Sequence, residues 1–152
     1  PSTLSIQVTE FTTVYAMEQE GTVWLVTSGG KIVDSAISAE DVPAISGCEL
    51  LAPSVGSDLS FALELQNRQE SLLSLLRALE DAGLTGELRA IRLDDPTILS
   101  LDYTERFTVE MPYGADYPRL LRYLEAVIAE LETNLTGVID LTRDGEPHFR
   151  PD

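Results

Sequence analysis

The chain has 152 residues, room for one domain of ordinary size, and its 43% hydrophobic and 24% charged content is that of a folded protein. Acidic residues outnumber basic ones 26 to 10, a formal charge of -16, with no Lys or Arg cluster, which excludes nucleic acid and anionic lipid as natural partners. One cysteine, Cys48, and one histidine, His148, exclude an internal disulfide, a cysteine zinc site and a multi-histidine metal site.

Leu4-Ser5-Ile6-Gln7-Val8 alternates apolar and polar, the period of a half-buried strand. Extended character resumes over 12–18 through Val14 and Ala16, Gly21 turns the chain, and Thr22 to Thr27 is a β-branched and aromatic strand. Ser28-Gly29-Gly30 supplies the positive φ angles of a tight turn, and Lys31-Ile32-Val33 returns, so the opening reads as a β-meander. Residues 34–58 are rich in Ser, Ala, Pro and Gly. Pro43 cannot donate to a ladder, which makes Val42-Pro43-Ala44-Ile45-Ser46-Gly47 a loop or an edge segment. A stretch of that length is expected to pack along the domain or to carry a function.

From about Gln66 the period changes. Leu72, Leu75, Leu76 and Leu79 fall at helical spacing, with Gly83 as the C-terminal cap. Glu87 to Leu93 alternates again, Asp94-Asp95-Pro96 breaks it, and Ile98 to Tyr103 and Arg106 to Met111 pair around Thr104-Glu105. Asp116 suits an N-cap with Pro118 in the first turn, and the second apolar stripe is Leu120, Leu121, Leu124, Val127, Ile128 and Leu131, ended by Asn134 and Gly137. Val138 to Thr142 is a strand, Asp144-Gly145 a hairpin turn, and Glu146 to Arg150 a last short strand. The order predicts an α+β fold: a mostly antiparallel or mixed sheet with two amphipathic helices packed on one face. The longest apolar runs, such as Val23-Trp24-Leu25-Val26, are far short of the ~20 residues that span a bilayer. The chain opens on Pro1 at the threshold of a strand and reads as a piece of a longer protein, with any membrane anchor expected outside it.

Catalytic patterns are weak. Asp94-Asp95 is an acidic pair of the kind that does acid-base work, but neighbours on an extended chain point apart, and Asp before Pro is ordinary turn chemistry. Asp140-x-Thr142-x-Asp144-Gly145 copies the start of a calcium loop, yet Pro151 stands where the bidentate glutamate belongs. Ser54, Ser57, Ser60 and Cys48 share one possible base, His148, and no nucleophile elbow surrounds any of them. Asn134-Leu135-Thr136 matches a glycosylation acceptor and serves equally as a helix terminus. The leucine stripes are read as faces packing on the sheet. No cofactor is expected. What remains is the end of the chain, where Val138 to Thr142 reads as an edge strand followed by an exposed-looking Phe149 between polar residues. That is either a frayed terminus or an edge that accepts a strand from another protein.

The order of segments resembles the extracytoplasmic part of the FtsQ/DivIB bacterial cell-division proteins. Leu4-Ser5-Ile6-Gln7-Val8-Thr9-Glu10 is similar to the last strand of that family's POTRA domain, giving residues 1–10 to a truncated POTRA domain or linker and 11–152 to the β-domain. Val14-Tyr15-Ala16, Val23-Trp24-Leu25-Val26 and Gly30-Lys31-Ile32-Val33 resemble the strands that open the β-domain, and Val42-Pro43-Ala44-Ile45-Ser46-Gly47 its Leu-Pro-x-Leu-x-Gly segment. Leu72 to Gly83 matches its leucine-rich helix. Leu120 to Leu131 with Gly137-Val138-Ile139-Asp140-Leu141 looks like its last helix and Ile/Val-Asp-Leu strand. The chain departs from the pattern at Glu10-Phe11-Thr12-Thr13, at Ser28-Gly29-Gly30 and at Thr104-Glu105.

The resemblance implies a non-enzymatic divisome scaffold on the extracytoplasmic side of the cell membrane at the septum, in a single-pass parent protein. It would bind FtsB/DivIC-like and FtsL-like proteins by adding a partner strand to its C-terminal edge. The contact region so implied is Thr142, Arg143, Asp144, Gly145, His148 and Phe149. Two alternatives stand beside it. One is a small hydrolase in which Asp94, Asp95 and His148 converge; the other is a general surface protein-binding domain.

Overall fold

The computed structural model describes residues 13–143 and 146–152. The expected strand of residues 4–8, the assignment of residues 1–10 to a POTRA end, and the turn residues Asp144 and Gly145 lie outside the described residues. The strands are β1 (Val14–Gln19), β2 (Thr22–Thr27), β3 (Ile32–Ala36), β4 (Ala44–Ser46), β5 (Leu88–Arg92), β6 (Ile98–Tyr103), β7 (Phe107–Pro112), β8 (Gly137–Asp140) and β9 (His148–Pro151). Helix α1 (Gln66–Ala82) joins β4 to β5, and α2 (Tyr117–Glu130) joins β7 to β8. All nine strands form one sheet in the order β3-β2-β1-β4-β5-β6-β7-β8-β9. The pairs β1–β4, β4–β5 and β7–β8 are parallel and the others antiparallel, so the sheet is mixed. The α+β fold read from the sequence is the fold observed.

The tight turns follow from their residues. Glu20 and Gly21, at φ 51° and 82°, close β1 onto β2. Thr104 and Glu105, at φ 58° and 67°, close β6 onto β7 without a glycine, at some backbone strain. Helix α1 stops at Gly83, left-handed at φ 71°, and α2 starts at Asp116, whose carboxylate accepts from the Arg119 N–H. Helix α2 ends at Glu130, earlier than the sequence suggested. The Arg106 guanidinium, reaching from the β6–β7 turn, binds the carbonyls of Glu132 and Leu135 and holds 131–136 extended or turned instead of helical.

The segment around Pro43 corrects the sequence reading. Ala44 to Ser46 is no edge: β4 lies at the centre of the sheet, between β1 and β5 and parallel to both. Pro43 is tolerated because it stands one residue before the strand, where its carbonyl accepts from the Ala16 N–H at 2.9 Å and no donor is asked of it. Gly47 follows at φ 99°, where any Cβ would fall within 3.0 Å of the Leu93 and Asp94 backbone.

Both helices cover one face. Leu72, Leu75, Leu76 and Leu79 of α1, and Tyr117, Leu121 and Leu124 of α2, are buried against Tyr15, Val26, Ile91, Leu99, Leu101, Val109, Met111 and Ile139 of the sheet. Each fully buried leucine contributes about 1.5–3 kcal/mol, so the stripes are core. The opposite face of β5–β9 is polar, carrying Arg92, Ser100, Asp102, Thr108, Glu110 and Arg150, with Arg92 paired to Asp102 at 2.5 Å.

Candidate functional site: the open edge of the sheet

Strand β8, read from the sequence as an edge, is flanked on both sides, by β7 and by β9. The edge belongs to β9. Its backbone directions follow from three bonds. Gly137 N–H donates to the Arg106 carbonyl and Leu141 N–H to that of Glu110, so the odd residues of β8 turn toward β7. Val138 and Asp140 therefore turn toward β9, facing Arg150 and His148, and the Asp152 N–H reaches the Thr136 carbonyl at 3.0 Å in the same phase. The alternate residues Phe149 and Pro151, and Pro147 just ahead, direct their backbones away from the sheet.

Several contacts hold β9 in place. The Arg150 guanidinium lies 3.2 Å from the Asp140 carboxylate and 3.1 Å from that of Glu110, across two strands. Asp140 is nearly buried, and its other oxygen accepts from the Thr142 N–H and hydroxyl. Burial pushes the Asp140 carboxyl up, but the Thr142 donors and Arg150 outweigh it and hold it below the ordinary carboxylate range. On the helix side the Phe149 ring meets the edge of Phe107 with centroids 6.0 Å apart. Gly137 makes the approach possible, because a Cβ there would stand 2.8 Å from the Pro151 Cα and closer still to the Arg150 carbonyl oxygen.

The other edge, β3, is covered by the chain itself where it begins, at Ile32. The Ile32 N–H donates to the Ser57 carbonyl and its C=O accepts from the Gly56 N–H, while the Lys31–Asp58 ion pair at 3.0 Å fixes the flanking segment. Farther along, the outward Ser35 N–H is taken by the Asp34 carboxylate. Among the described residues nothing comparable covers β9.

The residues predicted for the site fall around this edge unevenly. Thr142 is no edge donor, since its N–H and hydroxyl both serve Asp140. Arg143 is exposed, with its guanidinium 3.4 Å from the ring of exposed His148. Thr142 and Arg143 also line a cavity of about 240 Å³ with Leu120, Tyr123 and Leu141. Phe149 is half-buried and part of the packing, not the exposed aromatic it resembled. Glu110 and Arg150 escaped the sequence reading, and Asp140 entered it only through the calcium-like spacing, because only the strand order β7-β8-β9 brings the three together.

The hydrolase constellation does not assemble. The row Arg92–Ser100–Glu110–Asp140–His148 crosses four strand intervals, so His148 stands about 19 Å from β5, beyond which Asp94 and Asp95 lie. Asp95 caps its own turn, accepting from the N–H groups of Thr97 and Ile98 and the Thr97 hydroxyl, which hold its carboxyl below the usual range. Cys48 lies beside the Leu93 carbonyl and Arg68 rather than near His148, and burial raises its thiol. Among the described residues no group of three His, Cys, Asp or Glu side chains is placed to hold a metal.

Fold and edge together define an α+β domain whose mixed sheet is partly covered by its own chain at β3 and, among the described residues, uncovered at β9. No family model matches the sequence, and no curated protein matches it. Among solved structures the chain is similar to the major extracytoplasmic domain of the cell-division protein DivIB of Geobacillus stearothermophilus, in its trans isomer. The identity is 13%, the match covers 82% of this chain and 96% of that one, and the TM-score is 0.46.

Proposed function

We propose that this chain is a binding module without catalytic activity that takes up an extended segment of another protein along β9. The observation that carries the reading is the unequal treatment of the two edges. The chain bonds back onto β3 at Ile32 and caps the Ser35 N–H with Asp34, whereas among the described residues nothing covers the outward backbone of β9. Main-chain bonds along β9 supply affinity, and the exposed Arg143 and His148 side chains beside it supply selectivity. The sequence resemblance to FtsQ/DivIB proteins gives the setting: a divisome scaffold, extracytoplasmic and membrane-anchored through a part outside this chain, whose partners are FtsB/DivIC-like and FtsL-like proteins.

Calorimetric titration with the extracytoplasmic region of the DivIC/FtsB-like partner tests the reading. Saturable binding is expected, lost in Phe149→Pro, which removes the outward N–H, and kept in Phe149→Leu, which retains both the N–H and an apolar contact. Binding that survives Phe149→Pro moves the site away from β9, and Phe149→Leu, which also lacks the ring that meets Phe107, separates loss of the N–H from loss of packing. No binding to either FtsB/DivIC-like or FtsL-like segments removes the divisome setting.

A further inference from the structure

The outward positions of the open edge are 147, 149 and 151, and two of the three are proline. Proline keeps its carbonyl and has no N–H, so the edge offers three acceptors and one donor, the Phe149 N–H. The geometry points to an edge chemically unfit to pair with itself and fit for a foreign strand that brings its own donors; this rests on the strand-addition reading above.

The count decides it. Every bond between two copies of β9 needs an outward N–H, and two copies hold two, so no register, parallel or antiparallel, gives more than two bonds. In the symmetric antiparallel register Phe149 faces Phe149 and exchanges both, while Pro147 faces Pro151 with carbonyls and no donors. A proline-free strand set opposite Phe149 donates to the carbonyls of 147, 149 and 151 and accepts from the Phe149 N–H, four bonds in all. Prolines on an edge strand are a known guard against edge-to-edge association. Here they flank a usable centre, so they discriminate between partners instead of closing the edge. The occupant so defined is an extended segment with free N–H groups at the residue opposite Phe149 and at the positions two away on either side. Proline at any of these positions in the partner is excluded. Both edge prolines are exposed, and neither is among the core residues.

Sedimentation velocity on Pro147→Ala/Pro151→Ala, over the same concentration series as the unmodified chain, reads this directly. The unmodified chain is expected to stay at 16.6 kDa. The double variant is expected to move toward twice that mass, and adding Phe149→Pro to it is expected to restore the monomer. A double variant that sediments like the parent, an unmodified chain that already doubles, or a dimer indifferent to Phe149→Pro overturns the inference. The partner titration fails independently. A double variant that dimerises, in a chain that binds no partner segment, keeps the edge chemistry and removes the divisome role. Partner binding with a double variant that stays monomeric does the reverse.

Discussion

The two ends of the sheet are built on opposite plans. At β3 the chain turns back on itself, and residues 54–58 supply the bonds that Ile32 would otherwise offer to solvent. At β9 the effort goes into fastening the strand to β8, through Arg150, Asp140, Gly137 and Phe149, while among the described residues nothing covers its outer side. The difference teaches where to look for a partner: an edge held firmly and left uncovered is a template, whereas an edge bonded to its own chain is spent.

The contrast can be broken most strongly at Gly137. Replacing it by valine drives Cβ into the Arg150–Pro151 backbone, and such overpacking costs about 3 kcal/mol. Amide hydrogen exchange should show protection lost at His148 and Arg150 and retained in β2 and β3. Phe149→Ala comes next. It removes the ring that packs on Phe107 and should lower stability by about 2 kcal/mol in a denaturant titration, so this side chain cannot be changed as a purely surface contact.

Asp140→Asn unties Arg150 and should cost about 1.5 kcal/mol, since bonds to charged groups are the stronger ones. It also carries a pH signature. The Asp140 carboxyl is held down in the folded state, so its stabilisation is complete above the unfolded value near ~3.9 and disappears as pH falls through the lower folded value. Melting curves taken on the acid side should therefore lose a component in the parent that the Asn variant never had. Smallest is Asp58→Asn at the β3 edge. Its ion pair with Lys31 is largely exposed and worth at most about 0.5 kcal/mol, and the backbone bonds of Ile32 should keep β3 covered without it.

Much of this architecture is legible in the sequence, for reasons that can be named. The helices announce themselves through Leu72 to Leu79 and Leu120 to Leu131, with caps at Gly83 and Asp116, because amphipathic spacing and capping are local. The turns at Gly21 and at Thr104-Glu105 are local too, although the second does without glycine. Strand order is not local. Pro43 suggested an edge and β4 is central, because the proline stands just before the ladder and gives only its carbonyl. The end of β8 looked open for a similar reason: its neighbour on one side is a strand of four residues, hard to distinguish from a frayed terminus. The same tertiary placement hid the Arg150–Asp140–Glu110 cluster, in which Arg150 stands 10 residues from Asp140 and 40 from Glu110. Once β9 is known to be the edge, the spacing of Pro147, Phe149 and Pro151 becomes readable as a pattern of period two.

The most direct measurement is amide exchange of the isotopically labelled chain, followed by NMR with and without the DivIC/FtsB-like segment. In the free chain the Phe149 amide should exchange quickly while Arg150, bonded to Val138, is protected, and the segment should slow Phe149 while leaving Ser35 of β3 as it was. A Phe149 amide that stays fast in a saturated complex, or protection that appears along β3 instead, would contradict strand addition at β9.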